Sequence, residues 1–262
     1  MSTHTYAVRD SATMLRRNLI HMLRYPIALM LVGIPVVLLL LFVYVFGGTL
    51  GAGLGGVSGG RAEYANYVLP GILLITVACA AQGTAISVAM DMTEGIIARF
   101  RTMAIFRPSV LTGHVLSSLI QTMLSLAVVI GVGVLVGFRP TASPVEWVAA
   151  IGVLAMITVA VIWLSVACGL VTKSVEAASN LPMPLILLPF LGSGFVPTDS
   201  MPAAVGWFAD YQPFTPVMET LRGLLLGTAI GNNAILAVAW CTVITLVSYL
   251  WAKKLYNRDP SR

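Results

Sequence analysis

Five runs of mostly apolar residues, at 27–47, 67–90, 115–138, 147–171 and 234–251, divide this chain. Each is about as long as the 20 residues that a helix needs to cross the hydrocarbon core of a bilayer. In lipid a helix satisfies its backbone groups internally, so runs of this length and polarity leave few other folds open. The composition agrees: of 262 residues, 58% are hydrophobic and only 10% are charged. Soluble domains average about 45–50% and about 25%. The expected class is therefore an all-α polytopic membrane protein. A sixth run, "NLPMPLILLPFLGSGFVP" (180–197), holds Pro182, Pro184 and Pro189, with Gly192 and Gly194 near its end. Proline removes a backbone donor, so this span is expected to be kinked and supported by its neighbours. Six spans put both termini on the same side.

Lysine and arginine decide which side. With a cytoplasmic N-terminus, Arg9, Arg16, Arg17, Arg24, Arg99, Arg101, Arg107, Lys173, Lys253, Lys254, Arg258 and Arg262 face inward. Only Arg61, Arg139 and Arg222 then face outward. The acids divide evenly, as expected of a rule that counts Lys and Arg and not net charge. The formal charge of +5 is thus a topology signal and not a footprint for nucleic acid. The first run starts near Ile27 and exceeds the about 7–15 residues of a signal-peptide core, so it reads as a retained span. Cys79, Cys168 and Cys241 lie far apart inside apolar runs and read as small buried hydrophobes, not as disulfide or metal partners.

Two segments on the predicted inner side are amphipathic. Over residues 10–25, Leu15, Leu19, Met22 and Leu23 share one helical face, with Arg17, His21 and Arg24 opposite. Asp10 or Ser11 can cap its start and Pro26 ends it. A basic amphipathic helix of this kind lies in the headgroup plane. The second segment, 94–107, opens "EGIIARFRTM". At 100° per residue, Ile96, Ile97, Phe100, Met103 and Ala104 fill one arc of about 120°, while Arg99 and Arg101 lie off it. Thr93 is placed to cap this helix, Glu94 suits its positive end, and the arginines suit its negative end. Gly95 sits in its first turn, and Arg107 with Pro108 begins the next element. A capped helix with one apolar arc on the inner surface is expected to dock a cytosolic partner.

On the outer side, residues 48–66 hold a glycine-rich loop and 139–146 a short turn. Residues 198–232 are longer and include "TPVMETLRGLLLG" (215–227). That helix is too short to span and is expected to be re-entrant or interfacial. Its Glu219 and Arg222, three residues apart, are placed to pair and are read as structural or gating groups. Gln82 and Gln121 are among the deepest polar side chains and read as pathway or dimer contacts, since amides cement helix packing in lipid.

The chemistry missing from the sequence narrows the function. The nearest text to a phosphate-binding G-x-x-x-x-G-K-[ST] loop is "ACGLVTKS" (167–174), which has Ala167 and Thr172 where glycines are needed. No catalytic residue and no metal set is assigned. An intramembrane serine protease fails too, because His4, His21 and His114 all precede the Ser193 of "LGSG". An ion-coupled carrier would place titratable groups in mid-membrane, whereas every acid here falls in a loop or near a span end.

These residues resemble the ABC-2 type permeases, in particular the daunorubicin-resistance-like exporter subunits. The likeness covers nearly the whole chain. It rests on the basic N-terminus, the six runs, "EGIIARFRTMAIFRPSVLTGHVL" (94–116), and "FLGSGFVPTDSMPAAVGWFADYQPFTPVMETLRGLLLG" (190–227). In the latter, Pro197, Met201, Pro202, Pro213, Glu219, Arg222 and Gly227 match the family's C-terminal pattern. The resemblance implies a homodimeric half-transporter joined to two copies of a separate ATPase subunit, which would carry the ATP and Mg. This chain itself would bind no cofactor. It implies that 94–107 is the coupling helix, flanked by the N-terminal helix, and that 198–232 forms re-entrant helices at the outer end. The expected activity is export of an amphipathic or apolar small molecule across a bacterial cytoplasmic membrane. An ion-coupled carrier and a non-pumping scaffold are the alternatives.

Overall fold

The computed structural model describes residues 27–49, 51, 60–93, 108–172 and 174–256. Among them every regular element is helical. Helix α1 (Ile27–Leu41) is continued by a π-helical turn (Phe42–Phe46). Three long helices follow: α2 (Arg61–Thr93), α3 (Pro108–Val136) and α4 (Pro144–Val171). Short pieces come next: α5 (Val175–Asn180), α6 (Met183–Leu187), a 3-10 turn (Leu188–Leu191), a second such turn (Thr198–Ser200) and α7 (Ala203–Tyr211). The chain then forms α8 (Phe214–Leu226) and α9 (Asn233–Tyr256).

Helix α2 is the hub. It is apolar on all sides, the pattern of a helix enclosed by protein, and Val68, Leu69, Ile72, Leu73, Leu74, Ile75 and Val77 are fully buried. It packs against α1, α3, α4, α5 and α8. With α3 it makes an antiparallel hairpin whose register is fixed at three levels. Leu69 fills the space over Gly133, where a Cβ would come within 2.9 Å of its Cδ1. Thr84 meets Ser118, Oγ1 to Oγ 2.9 Å, and Asp91 meets His114. The Asp91 end is called the lower end below, and the Arg61 end the upper.

Helix α4 runs parallel to α2. A capping box starts it at the upper end: Ser143 N–H donates to Glu146 Oε2 at 2.6 Å, and Glu146 N–H returns to Ser143 Oγ. With Pro144 at the first helical position, α4 begins three residues before the expected Trp147. Near the lower end it comes so close to α2 that a Cβ at Gly169 would lie 2.7 Å from Ala85 O. Helix α9 lies along α4, with Trp163 and Tyr249 edge to face at 5.0 Å. It returns to the lower end, where Ala252 and Tyr256 join Val88, Leu111, Val115 and Val166. Helix α1 reaches the upper end, where Tyr44 sits 5.8 Å from the Arg61 guanidinium. Ile27 and Tyr256 therefore lie at the same end.

Among the described residues, five helices are long and apolar enough to cross a membrane: Val32–Thr49, Arg61–Thr93, Leu111–Val136, Pro144–Val171 and Asn233–Tyr256. Large apolar side chains such as Val37, Leu124, Leu135, Ile235 and Val247 point outward from them, a surface suited to acyl chains and not to water. The sixth expected span, 180–197, is not one helix. Helix α5 ends at Asn180, and α6 and the 3-10 turn follow as separate pieces, each with a proline in its first turn. This broken path climbs beside α2, from Ser179 opposite Gln82 to Gly194 against Gly71. There a Cβ on Gly71 would lie 3.0 Å from Gly194 Cα.

Candidate functional site

Two polar sites interrupt this apolar bundle. The lower one lies where α2 and α3 leave the bundle toward the 94–107 connection. The expected coupling residues Glu94, Gly95, Ile96, Arg99, Phe100, Arg101 and Arg107 lie outside the described residues, as do Arg17, His21 and Arg24. The flanks are described. Thr93, expected to cap a helix from Glu94, lies in α2, and its hydroxyl donates to Met90 O at 3.0 Å; the helix it was expected to cap lies outside the described residues. One turn away on α3, His114 Nε2 lies 3.0 Å from Asp91 Oδ2, with 5% and 12% of the two side chains exposed. An unpaired charge so placed would cost several kcal/mol, so pairing is the condition for burial. In the sequence neither residue stands out as a site residue: His114 is weighed only as a protease base, and Asp91 only as an acid near a span end. The signal was available: in an antiparallel hairpin, residues placed similarly on either side of the connection face each other.

The upper site is built around the broken path. Prolines and non-helical turns free backbone carbonyls, and in an apolar setting each needs a donor. Three side chains supply them. Gln82 Nε2 donates to Ser179 O at 2.7 Å, and Gln212 Nε2 to Leu188 O at 3.0 Å. Arg222 Nη2 donates to Ser193 O at 2.8 Å and to Tyr67 O at 3.2 Å. The Arg222 guanidinium also pairs with Glu219 and lies 4.1 Å over the Tyr67 ring. It is thus a cation held by an anion, two carbonyls and a π face. The expected Glu219–Arg222 pair is present, and Gln82 proves to be a prop for the broken path. Gln121 is half-buried on α3, where it offers its backbone carbonyl to Ser125.

The path is also held by aromatic rings. Phe195 lies 4.6 Å from Phe42 of the π-helical turn and stacks on Phe190 at 4.7 Å. The following hairpin is asymmetric. Helix α8 buries Phe214, Val217, Met218, Leu221 and Leu225, while α7 exposes Trp207, Phe208 and Tyr211. Exposed Trp and Tyr beside apolar helices mark a membrane–water boundary.

Comparison with known proteins assigns this architecture. The family model described as ABC-2 type transporter matches residues 10–226. The chain belongs to the ABC-2 type transporter family. It is 30% identical over 226 residues to the daunorubicin resistance ABC transporter permease DrrB1 of Streptomyces coeruleorubidus, covering 85% of this chain and 77% of that protein. It is 24% identical over 163 residues to the probable doxorubicin resistance ABC transporter permease DrrC of Mycobacterium tuberculosis, covering 62% and 59% respectively. The chain is therefore a multi-pass transmembrane ABC-2 permease. Permeases of this family work with a separate ATPase subunit and do not themselves hydrolyse ATP.

Proposed function

We propose that this permease is the membrane-spanning subunit of an ATP-driven exporter of amphipathic or apolar small molecules, anthracycline-like compounds among them. Two copies pair with two ATPase subunits in a bacterial cytoplasmic membrane. The lower end faces the cytoplasm, and residues 94–107 receive the ATPase, flanked by the N-terminal helix. The path from Val175 to Pro197 is the sixth crossing, and α7 with α8 forms the outer re-entrant hairpin. Helices α1 and α9 both end or begin at the lower end, which accords with cytoplasmic termini.

The observation that carries this reading is the family match across most of the chain, together with similarity to permeases named for daunorubicin and doxorubicin resistance. The charge pattern supports the orientation: Lys253 and Lys254 end α9 at the lower end, while Arg61, Arg139 and Arg222 lie at the upper. A stroke can shift such a bundle only through differential affinity of the ATPase for two of its states.

The test is reconstitution. The chain is co-expressed with an ABC ATPase subunit from the same genome, purified, and placed in vesicles loaded with daunorubicin. Co-purification and drug movement that requires ATP and is blocked by vanadate are expected. Movement collapsed by an uncoupler and indifferent to ATP overturns the reading in favour of an ion-coupled carrier.

A further inference from the structure

We propose that Asp91 and His114 are the clasp that makes α2 and α3 move as one body, so that displacement at the lower end of the hairpin is delivered to the membrane-embedded bundle. They act as positioning residues for energy coupling. The inference rests on the reading that the 94–107 connection receives an ATPase, but the clasp itself consists of described side chains.

Three observations converge on it. First, the pair is buried and direct, 3.0 Å from Nε2 to Oδ2, at the last turn of α2 and the second turn of α3. Second, it is one rung of a continuous seam. Thr84, Val88 and Asp91 lie at i, i+4 and i+7 on one face of α2, and Leu111, His114, Val115 and Ser118 form the facing stripe of α3. Thr84 and Ser118 close the next polar rung at 2.9 Å, and Val88, Leu111 and Val115 exclude water between the two rungs. Third, the hub position of α2 gives the clasp consequences. The turn that holds Asp91 follows the turn of Ala85 and Val88, against which Gly169 of α4 is packed without space for a Cβ. Motion of the α2–α3 hairpin therefore reaches α4, and through α4 it reaches α9.

A proton relay would be the other use of a buried His–Asp pair. It would need further titratable groups along the seam toward mid-membrane. Among the described residues, the seam above the pair continues through Val88, Thr84 and Ser118 to Leu69 and Gly133, which offer hydroxyls and apolar groups only. The geometry fits mechanical linkage. Charge-assisted hydrogen bonds are about twice as strong as neutral ones and fix direction, as a clasp requires.

The experiment uses the full chain co-expressed with its ATPase and reads drug moved per ATP hydrolysed. Asp91→Ala and His114→Ala are each expected to lower that ratio roughly tenfold, a typical size for a coupling free energy, while co-purification of the ATPase persists. The double variant should be no worse than either single variant, because both remove one interaction. The exchange Asp91→His with His114→Asp should restore at least roughly half the ratio, since the same two groups then meet from opposite helices. If the alanine variants fail to accumulate, Asp91→Asn carries the test, with a severalfold loss expected because only a neutral acceptor remains. Variants with the wild-type ratio, or singles whose losses multiply in the double, overturn the clasp and leave the exporter reading intact. A wild-type chain that recruits no ATPase overturns both.

Discussion

At the scale of single residues, the guanidinium of Arg222 shows how a cation is kept inside an apolar bundle. It joins α8 to the broken path through Ser193 O and to α2 through Tyr67 O and the Tyr67 ring, while Glu219 balances its charge. Removing one side of such a buried pair costs about 3–5 kcal/mol, because the partners stay behind unsatisfied. Arg222→Ala should therefore lower the thermal unfolding midpoint in detergent by on the order of 10 °C. Arg222→Lys keeps the charge but gives up the planar fork and its two-carbonyl reach, and should lose less than about half as much. If both variants melt with the wild type, the contact does not hold the path. The residue types alone allowed the pairing of Glu219 and Arg222, since three residues is one helical turn. They could not have shown Ser193 O or Tyr67 O, because backbone carbonyls exist at every position and carry no sequence signal.

At the scale of elements, legibility tracks periodicity. The five long helices could be read because twenty apolar residues have one stable form in lipid. The 215–227 helix was also readable, and α8 matches it to within a residue. The path of 180–197 was legible as a weak span with three prolines, but its supports were not. They come from Gln82 on α2, Gln212 before α8 and Arg222 on α8, which are brought together only by tertiary packing. The Asp91–His114 rung needed the register of the hairpin, which neither residue reveals alone. The contact between Gly71 and Gly194 gives this element its own test. A side chain at Gly71 meets backbone and not a flexible tip, so Gly71→Leu must push the broken path off α2. Overpacking of this kind costs about 1–3 kcal/mol, and drug export should fall with it. The matched control is Gly152→Ala on the open face of α4, where nothing lies within 4 Å. Alanine there should be neutral or stabilising by up to about 1 kcal/mol. Equal effects at the two glycines would mean that the close approach is not limiting.

At the scale of the whole molecule, a bundle organised round one enclosed helix leaves its outer helices facing lipid. Among the described residues, its charged side chains then lie toward the two ends. The lower end has α9 closing on Lys253 and Lys254 beside the root of the 94–107 connection. The upper end has Arg61, the Arg139 turn held by Asn66, and the aromatic face of α7. This asymmetry makes the orientation testable, and the three native thiols do not obstruct the test because Cys79, Cys168 and Cys241 are buried. Single cysteines placed at Thr141 or Ala229 in the upper turns, and at Lys254 in the last turn of α9, should separate cleanly with a membrane-impermeant maleimide. Intact cells should be labelled at Thr141→Cys and Ala229→Cys, and Lys254→Cys should react only after the membrane is opened. Arg222 and the broken path would then sit at the outer mouth, and the Asp91–His114 rung beside the cytoplasm. That is the only side from which an ATPase can push, so labelling in the reverse order would remove the physical basis for coupling at 94–107.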